Sequence, residues 1–499
     1  MRKKILLTIS VLTLLLICGC GDKTSKNKSE YLENAVEIIL SDSEIIVDGE
    51  TIPTDPSANV YKANDIVYYE ADKGFTYGEG TKEDEHTKQE ADKHTVVHIT
   101  KPGTYALSGS LSAGQIAIDL GEDAKENPEA VVNLLLNNVD IKCSVAPSII
   151  FYNVYECGTT EGEATKDVDT SKAGANVIIL DDTTNNIEGS YVARIYKSYE
   201  LNEEKTEVID NKKLHKYDAA FYSKMTMNIN GASEGNGILN IKAENEGLDS
   251  ELHLTINGGN INIVSGNDGI NTNEDGISVT TVNGGTLNIV VDGSTGEGDG
   301  IDSNGWLVIN GGTVIASACD FSMDAGIDSD MGIHINGGTV IASGNMLDRI
   351  SESNQNYVVF GFNKKQNGGV TYSLKDSNNK TVLECTPENS FTNLLISNNE
   401  LKEGTYTLWE GDKQLSGYSG EGMMRGPGMN GGGMERPEMA ERMERPEMPP
   451  EGMEMPEEME TQKNFKGRRG KNDDVNVELS TEFKIINGGN YFSNITSED

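Results

Sequence analysis

Short acidic motifs recur along the middle of the chain, and their side chains are the ones best suited to chemistry. Each motif lies upstream of an Asn-Gly-Gly sequence, and the second copy is shifted in phase, with Asn273-Glu274 as the apparent insertion. A single Asp-Gly pair is a common turn signal, but four related copies indicate a repeated structural position. The copies are Glu246-Gly-Leu-Asp249-Ser250, Asp268-Gly-Ile-Asn271-Thr272, Asp299-Gly-Ile-Asp302-Ser303 and Ala325-Gly-Ile-Asp328-Ser329.

Stacking of these motifs would bring carboxylates close together. Equivalent positions of adjacent parallel strands lie about 4.8 Å apart, and two negative charges at that distance repel by roughly 3.5 kcal/mol at an effective dielectric of about 20. Either the carboxylates splay into solvent as a row of turns, or a cation lies between them. Oxygen ligands without clustered His or Cys favour Ca²⁺ over zinc or copper. The motif therefore predicts a Ca²⁺ site, with candidate ligands Asp249, Asp268, Asn271, Asp299, Asp302 and Asp328.

An enzymatic role for this acidic column would need a nearby base, and the sequence offers few. Between Met225 and Asp348, Lys242 is the only Lys or Arg, and His253 and His334 are the only histidines. Both histidines fall at outward strand positions, which predicts a solvated face. A base could come from the charged insertion at 193–217, which is compatible with a helix.

Trp306 is the most informative aromatic residue of this region. Its place in the repeat matches those of His253 and Val279, which alternation puts on the outside of the fold. An exposed indole on a flat β surface can stack on the apolar face of a sugar ring, so Trp306 is a candidate carbohydrate-binding residue. The alternative is that the indole packs under a loop.

The elements that position these residues follow from an internal repeat. Asn-Gly-Gly begins at Asn257, Asn283, Asn310 and Asn336, with spacings of 26, 27 and 26 residues, and Asn230-Gly231 is an earlier partial copy. Each period contains a pair of short alternating strands, which predicts stacked coils of a parallel β-helix. Alternation places Leu254, Ile256, Ile261 and Ile263 inside, and the Asn column is expected to form a structural ladder of amides.

The segments around the repeat have other characters. We expect an all-β protein with a small antiparallel β cap and a disordered segment rich in Met, Pro and Glu. The predicted divisions are a signal peptide at 1–19, a tether at 20–59, the parallel β-helix at 60–350, the cap at 351–420, the disordered segment at 421–475 and a terminal strand at 476–499.

The N-terminus and the charge bear on location and partners. A basic start is followed by an apolar run from Ile5 to Ile17, which is too short to span a bilayer, and Cys20 follows in a sequence that resembles a bacterial lipoprotein signal. We therefore expect an extracellular protein anchored to the cell membrane through acylated Cys20. With a net charge of −39, the chain should repel nucleic acid. Cys143 and Cys157 could form a disulfide, or remain as buried thiols.

The segment Val96 to Asp119, together with the Asp-Gly-Ile-Asp-Ser and Ile-Asn-Gly-Gly-Thr sequences, resembles a family of secreted bacterial carbohydrate-binding proteins. The resemblance extends from about Thr95 to Gly420. It implies a right-handed parallel β-helix like that of pectate lyases, and binding of Ca²⁺ and of plant polysaccharides such as cellulose and pectic acid without catalysis. It also implies that Asp249, Asp268, Asp299, Asp302 and Asp328 are Ca²⁺ ligands or lie near them. Ala325 and Glu246 depart from the usual Asp.

Three functions remain open on the sequence. The first is a non-catalytic, Ca²⁺-dependent polysaccharide-binding lipoprotein of the cell surface, in which cations bridge the acidic protein to a polyanion such as pectate. The second is a β-helix polysaccharide lyase, which requires a base beside the cation. The third is a structural surface protein whose cations serve stability alone.

Overall fold

The computed structural model describes residues 28–158, 165–420 and 479–497 of the 499-residue chain. These residues are almost all β, which confirms the predicted class; their helical elements are Lys28–Leu32 (α1), Lys88–Ala91 (α2) and a 3₁₀ turn at Glu122–Glu126. Within this part of the chain, no helix has the length and apolar character to cross a membrane. The predictions for Cys20, the signal peptide and the disordered segment lie outside the described residues.

The first sixteen strands lie between residues 36 and 243. In chain order they are Val36–Leu40 (β1), Ile46–Val47 (β2), Glu50–Thr51 (β3), Val60–Ala63 (β4), Thr95–Ile99 (β5), Gly103–Leu111 (β6), Gly114–Asp119 (β7), Val132–Cys143 (β8), Ile149–Asn153 (β9), Ala175–Ile179 (β10), Thr184–Gly189 (β11), Val192–Leu201 (β12), Val208–Tyr217 (β13), Ala219–Ser223 (β14), Met227–Gly231 (β15) and Ile238–Ala243 (β16).

The remaining strands cover the repeats and the C-terminal region. They are Glu246–Ser250 (β17), His253–Ile256 (β18), Asn260–Ser265 (β19), Ile270–Thr272 (β20), Val279–Val282 (β21), Thr286–Val291 (β22), Ile301–Ser303 (β23), Trp306–Ile309 (β24), Thr313–Ser317 (β25), Gly332–Ile335 (β26), Thr339–Gly344 (β27), Ile350–Ser353 (β28), Tyr357–Gln366 (β29), Tyr372–Asp376 (β30), Thr381–Cys385 (β31), Phe391–Asn398 (β32), Gly404–Glu410 (β33), Lys413–Ser419 (β34), Phe483–Ile485 (β35) and Gly489–Ser497 (β36).

Successive repeats stack as three ladders of parallel strands. Ladder A runs through β5, β7, β9, β14, β17, β20 and β23. Ladder B runs from the first half of β8 through β10, β15, β18, β21, β24 and β26. Ladder C runs from the second half of β8 through β11, β16, β19, β22, β25 and β27. A repeat thus contributes up to three strands rather than the predicted pair, and the additional strand carries the acidic motif.

The core lies between the ladders, and alternation along each strand fills it. Leu254, Ile256, Ile261 and Ile263 are all buried within one hydrophobic cluster, which confirms the predicted register. The cluster extends from Ile38 to Leu395, so one continuous core joins the N-terminal strands to the last repeats. Its apolar surface is the main source of stability that holds the ladders in register.

The Asn column forms the predicted amide ladder. The Nδ2 of Asn257 donates to Oδ1 of Asn230 at 3.0 Å, and Asn283, Asn310 and Asn336 each donate to the preceding Asn at 2.8 Å. A second amide ladder, which the sequence did not reveal, lies on the outside of strand ladder C. In it each Asn Nδ2 donates to the Asn of the preceding repeat at 2.9 Å. Its members are Asn186, Asn240, Asn262 and Asn288.

Beyond the repeats, the chain changes to mainly antiparallel pairing. Strand β32 pairs antiparallel with both β27 and β29, and β30 pairs antiparallel with β31 and β33. These strands enclose a hydrophobic cluster of their own that includes Phe360, Phe391 and Phe492. Strands β35 and β36 join this region from the far end of the sequence.

Two predictions outside the repeats are wrong. The tether at 20–59 is in part folded: β1 pairs in parallel with β6, and Ile38 and Leu40 are buried in the core, because the alternating sequence 36–40 can extend the stack. The insertion at 193–217 is not helical, because β12 and β13 form an antiparallel hairpin that ends beside ladder A. Cys143, Cys157, Cys319 and Cys385 are free thiols.

Candidate metal centre

The acidic motif lies on ladder A with its carboxylates on the outer face. Leu248, Ile270 and Ile301 point into the core, so the next residues, Asp249, Asn271 and Asp302, point outward and pair strand to strand in one row. The motif Gly permits this packing: a Cβ at Gly247 would lie 2.3 Å from Ile263 Cγ2, and one at Gly300 would lie 2.3 Å from Gly326 O. The sequence thus fixes the motif against the core and aims its second acidic position outward.

Three buried carboxylates converge at the lower end of this row. Asp218, Glu246 and Asp249 each place an oxygen within 4.8 Å of the others, and all three are buried. Asp249 is a predicted ligand, whereas Glu246 stands where the resemblance expected Asp. Asp218 was missed. Glu246 lies a fixed interval before Asn257. The same interval before Asn230 reaches Ala219, which directly follows Asp218, so the repeat period could have revealed Asp218.

Amide groups support these carboxylates and leave two oxygens unpaired. The Asn273 side chain donates to both carboxylate oxygens of Asp249 at 2.9 Å, and Asn271 Nδ2 donates to Glu246 Oε1 at 3.2 Å. Glu246 Oε2 and Asn271 Oδ1 are buried and have no hydrogen-bond partner in the described part of the chain. A buried acceptor without a partner costs about 1–3 kcal/mol, so the centre offers oxygen ligands for which the folded chain provides no donor.

The charge of this centre is only partly balanced. Lys216, at the end of the β12–β13 hairpin, forms an ion pair with Asp218. The pKa of Glu246 and that of Asp249 lie well above the usual range, because burial disfavours the charged form and neighbouring carboxylates repel it. Although burial lowers the pKa of Lys216, attraction by Asp218 and then by Glu246 and Asp249 outweighs it, and the net shift is upward.

The predicted ligands of the next repeats form a second acidic group further along ladder A. Burial, followed by repulsion between carboxylates, raises the pKa of Asp302 to about 7 and that of Asp328 to about 8. Burial raises the pKa of Asp268 to about 7 and that of Asp299 well above its usual value. Four of the six predicted ligands thus form one group of mutually repelling carboxylates. Asp249 belongs to the first group, and Asn271 lies between the two acidic groups.

In the two motifs that begin with Asp, this first residue also has a structural task. Asp268 Oδ1 accepts the Asp299 backbone N–H at 2.7 Å, and Asp299 Oδ1 accepts the Ala325 N–H at 2.6 Å. Each carboxylate therefore ties its repeat to the next one. Because each bond uses one oxygen, these carboxylates keep further lone pairs for a cation.

Trp306 and the two histidines lie on ladder B, whereas the acidic motif lies on ladder A. The Trp306 indole is half-buried and packs edge-on against His334, with ring centroids 5.0 Å apart. His253 and His334 are buried, so the predicted solvated face is wrong. Gly158 and Lys166 cover this face: Gly158 lies against His253, and Lys166 Nζ lies 3.5 Å from His334 Nδ1.

Comparison with known proteins gives one family and one solved structure. The family described as "Carbohydrate-binding domain-containing protein" matches residues 93–368, more than half of the chain, and this range contains both acidic groups. A polysaccharide lyase-like protein from C. thermocellum, solved as a gadolinium derivative, is 19% identical, with 64% of this chain and 93% of that chain covered and a TM-score of 0.36. No curated protein matches.

Proposed function

The chain belongs to the family of carbohydrate-binding domain-containing proteins, and on that premise we propose that it binds polysaccharide through Ca²⁺, without catalysis, at the cell surface. The unpaired oxygens Glu246 Oε2 and Asn271 Oδ1, within a buried group of carboxylates, carry this proposal. A hard cation would supply the missing partner and neutralise charge that Lys216 leaves uncompensated.

The three ladders support a more specific architecture. We propose that the chain winds as a right-handed parallel β-helix, in which each coil contributes strands to ladders A, B and C in turn. The equivalent pairings at successive repeats, such as His253 with Val279 and Val279 with Trp306, are those that stacked coils require. The handedness follows the strong preference of parallel crossover connections.

The chemistry of the donors supports calcium. The cluster offers Asp218, Glu246 and Asp249 with the amide oxygen of Asn271, and all of these are oxygen ligands. Ca²⁺ accepts six to eight such ligands in irregular geometry, whereas zinc and copper prefer His and Cys. The group Asp268, Asp299, Asp302 and Asp328 would hold a further ion in the next repeats.

A bound cation would also explain how so acidic a protein meets an acidic glycan. With a net charge of −39, the surface repels a polyanion such as pectic acid unless a cation lies between them. Asp268, Asp299, Asp302 and Asp328 are only partly buried, so Ca²⁺ held there would retain positions for uronate oxygens on its outer side, whereas an ion at the buried Glu246 and Asp249 would serve stability. Pectic acid is therefore the proposed partner at the acidic face.

The state of Lys216 supports binding over lyase chemistry. A lyase needs a neutral base beside the cation to take a proton from the uronate. Lys216 forms an ion pair with Asp218, and the attraction of the carboxylates around it outweighs burial and raises its pKa. In this position Lys216 pairs with Asp218 as a cation, which favours a role in balancing charge over that of a base.

The proposed location depends on Cys20. Acylation there would leave the β fold outside the cell and tied to the membrane. Mass spectrometry of the mature N-terminus should find a diacylated or triacylated Cys20. The Cys20→Ala variant should leave the membrane fraction, while Cys143→Ala should remain in it; an unmodified N-terminus would contradict the anchor.

The binding proposal is tested by calorimetry on the full-length protein. We expect heat of binding on titration with CaCl₂, and then with polygalacturonate, and both signals should vanish in EDTA. Asp249→Asn and Asp302→Asn should weaken Ca²⁺ binding by tenfold or more, because each removes a charged ligand, an effect of about 1.4 kcal/mol per decade. Asp292→Asn changes an exposed carboxylate outside the motif and is the matched control.

Each alternative gives a different result. Ca²⁺ binding without glycan binding would indicate a purely structural role. An unsaturated product that absorbs in the ultraviolet would show that the protein is a lyase. If titration with CaCl₂ gives no heat of binding, the proposed metal centre is contradicted, and the buried carboxylates are protonated instead.

A further inference from the structure

A polar cleft lies on ladder B, on a different strand ladder from the acidic groups. Residues 166–171 form one wall, and the outward side chains of β15, β18, β21 and β24 form the floor, enclosing about 300 Å³. Thr281 and Val308 are part of this floor, and Asn257, Asn283 and Asn310 of the Asn ladder form the opposite rim. The cleft therefore runs across successive repeats, parallel to the stack.

The rim presents a regular array of hydrogen-bonding groups. Each Asn of the ladder uses one amide hydrogen and one oxygen lone pair to bind its neighbours, at 2.8 Å for Asn283 in both directions. An amide has two hydrogens and two lone pairs, so each exposed rung keeps one donor and one acceptor for a ligand. The rungs repeat at the strand spacing of about 4.8 Å, which gives a straight row of oriented polar groups.

The inner end of the cleft contains an unpaired acceptor. Asn228 is 4% exposed, and its Nδ2 donates to Thr170 O at 2.8 Å and to Asn176 Oδ1 at 3.0 Å. Its Oδ1 is buried without a hydrogen-bond partner among the described residues. Thr170 also bonds to Thr255 at 2.7 Å, which ties the wall to the floor. The cleft is thus anchored at this end and offers an acceptor that suits a hydroxyl donor.

The charges of the cleft argue against a polyanion. Lys166 is the one cationic side chain of its lining, and its Nζ lies 3.1 Å from the Glu352 carboxylate. Asp167 and Asp169 also line the cleft, and Asp169 accepts the Ser171 N–H at 3.0 Å. The rest of the lining consists of amide, hydroxyl and two valine side chains, which suit an uncharged, hydroxyl-rich molecule.

We propose that this cleft binds an uncharged polysaccharide in an extended conformation, independently of Ca²⁺. The inference rests on the proposed carbohydrate binding, to which it adds a second site of different chemistry. The ladder amides and Thr281 would bond to successive hydroxyl groups, and Asn228 Oδ1 would accept one at the inner end. Trp306 lies two residues before Val308 on the same face of β24, so its indole is a neighbour of the residues that line the cleft.

The test uses the fluorescence of Trp306. The full-length chain contains two tryptophans, so Trp409→Phe leaves Trp306 as the only indole. This protein is titrated in EDTA with cellohexaose, xylohexaose and mannohexaose, with calorimetry in parallel. We expect at least one of these oligosaccharides to bind and to change the emission, and EDTA should leave its affinity unchanged.

Matched variants locate the site. Asn283→Ala removes an inner rung at the cleft and should lower affinity by about three- to tenfold, and Thr281→Arg should block binding. Asn262→Ala removes an equivalent inner rung of the second ladder, where the side chain donates to Asn240 and accepts from Asn288. It should leave affinity unchanged, which separates loss of a contact from loss of stability.

The outcomes distinguish this site from the metal centre. The cleft proposal is overturned if no uncharged oligosaccharide binds in EDTA, if Thr281→Arg binds as well as the parent, or if binding of the uncharged oligosaccharide requires Ca²⁺. If an uncharged oligosaccharide binds in EDTA and polygalacturonate shows no binding even when Ca²⁺ is present, the cleft is supported and the proposed metal site is contradicted.

Discussion

Asp302 shows how the effect of a single carboxylate on the stability of the folded protein depends on whether a cation lies beside it. Without a cation, burial and repulsion from Asp268 raise its pKa to about 7. At pH 8 the ionised side chain is therefore less favourable in the folded protein than in the unfolded chain. With a cation in place, the same charge becomes a ligand. One substitution should therefore have opposite effects in the two conditions.

We expect Asp302→Asn to raise the thermal midpoint in EDTA at pH 8 and to lower it in 1 mM CaCl₂. The first effect should exceed about 1 kcal/mol, because one unit of pKa shift corresponds to 1.4 kcal/mol. Differential scanning calorimetry of the variant and of Asp292→Asn in both buffers measures this. A variant that is less stable than its parent in EDTA would contradict the repulsion on which the site is argued.

The pH dependence of stability in EDTA should have an unusual sign. Unfolded Asp titrates near pH 4, whereas Asp302 and Asp328 have folded pKa values of about 7 and 8. Between these limits the folded protein retains protons that the unfolded chain has lost, so the free energy of unfolding falls as pH rises. We expect the urea midpoint to decrease from pH 5 to pH 8, and Asp302→Asn with Asp328→Asn to flatten the curve. A midpoint that increases with pH would mean that other groups dominate.

At the scale of single residues, the sequence predicts the carboxylates of the motif but not every residue of the candidate metal centre. Repetition marks Asp249, Asp268, Asp299 and Asp302, because each recurs in the same short sequence. Asp218 is not predicted because it lies one residue before the motif: the register pairs Ala219 with Glu246 and Phe221 with Leu248. Lys216 is not predicted because the β12–β13 hairpin, and not its position in the repeat, brings it to Asp218.

At the scale of elements, packing between ladders constrains the motif as strongly as its charge. The period gives the register of ladders B and C correctly, since apolar alternation has a single solution when one face is buried. Ladder A is hidden from the same reasoning because its strands β20 and β23 have three residues each. A strand so short carries too little alternation to distinguish it from a turn.

The glycine of the motif provides a test of this packing. Gly300→Ala would place a Cβ 2.3 Å from Gly326 O and 2.8 Å from the Ala316 Cβ, and overpacking of this kind costs about 1–3 kcal/mol. We expect thermal unfolding, followed by circular dichroism, to occur at a clearly lower temperature. Gly74→Ala has no atom within 4 Å of the new Cβ, and it should change stability by less than about 0.5 kcal/mol. Equal effects of the two substitutions would show that ladder A does not pack as described.

Elements outside the repeat depend on contacts that no local pattern encodes. Strand β1 joins the stack through pairing with β6, about 70 residues later in the chain. The β12–β13 hairpin has an alternation interrupted by register shifts, and its charged composition suits a helix equally well. Long-range pairing therefore decides both segments, which is why sequence reasoning assigns one as a tether and the other as a helix.

At the scale of the whole molecule, the net charge of −39 affects stability in two ways. Mutual repulsion destabilises the compact state, and any salt screens it, with a Debye length of about 10 Å at 0.1 M. Bound cations act differently, because they stabilise the folded state by an amount that grows with the logarithm of their concentration above Kd. The two contributions can be separated by comparing salts.

We expect CaCl₂ to raise the thermal midpoint more than NaCl does at equal ionic strength, and to do so at concentrations far below those at which screening acts. Screening depends on ionic strength alone, whereas the proposed site at the buried carboxylates of Glu246 and Asp249 would hold a divalent ion at a defined position. The Asp249→Asn variant should keep the response to NaCl and lose much of the response to CaCl₂. If both salts act alike on the parent protein, the cations are a diffuse atmosphere around an acidic surface, and polyanion binding through a bridging ion loses its physical basis.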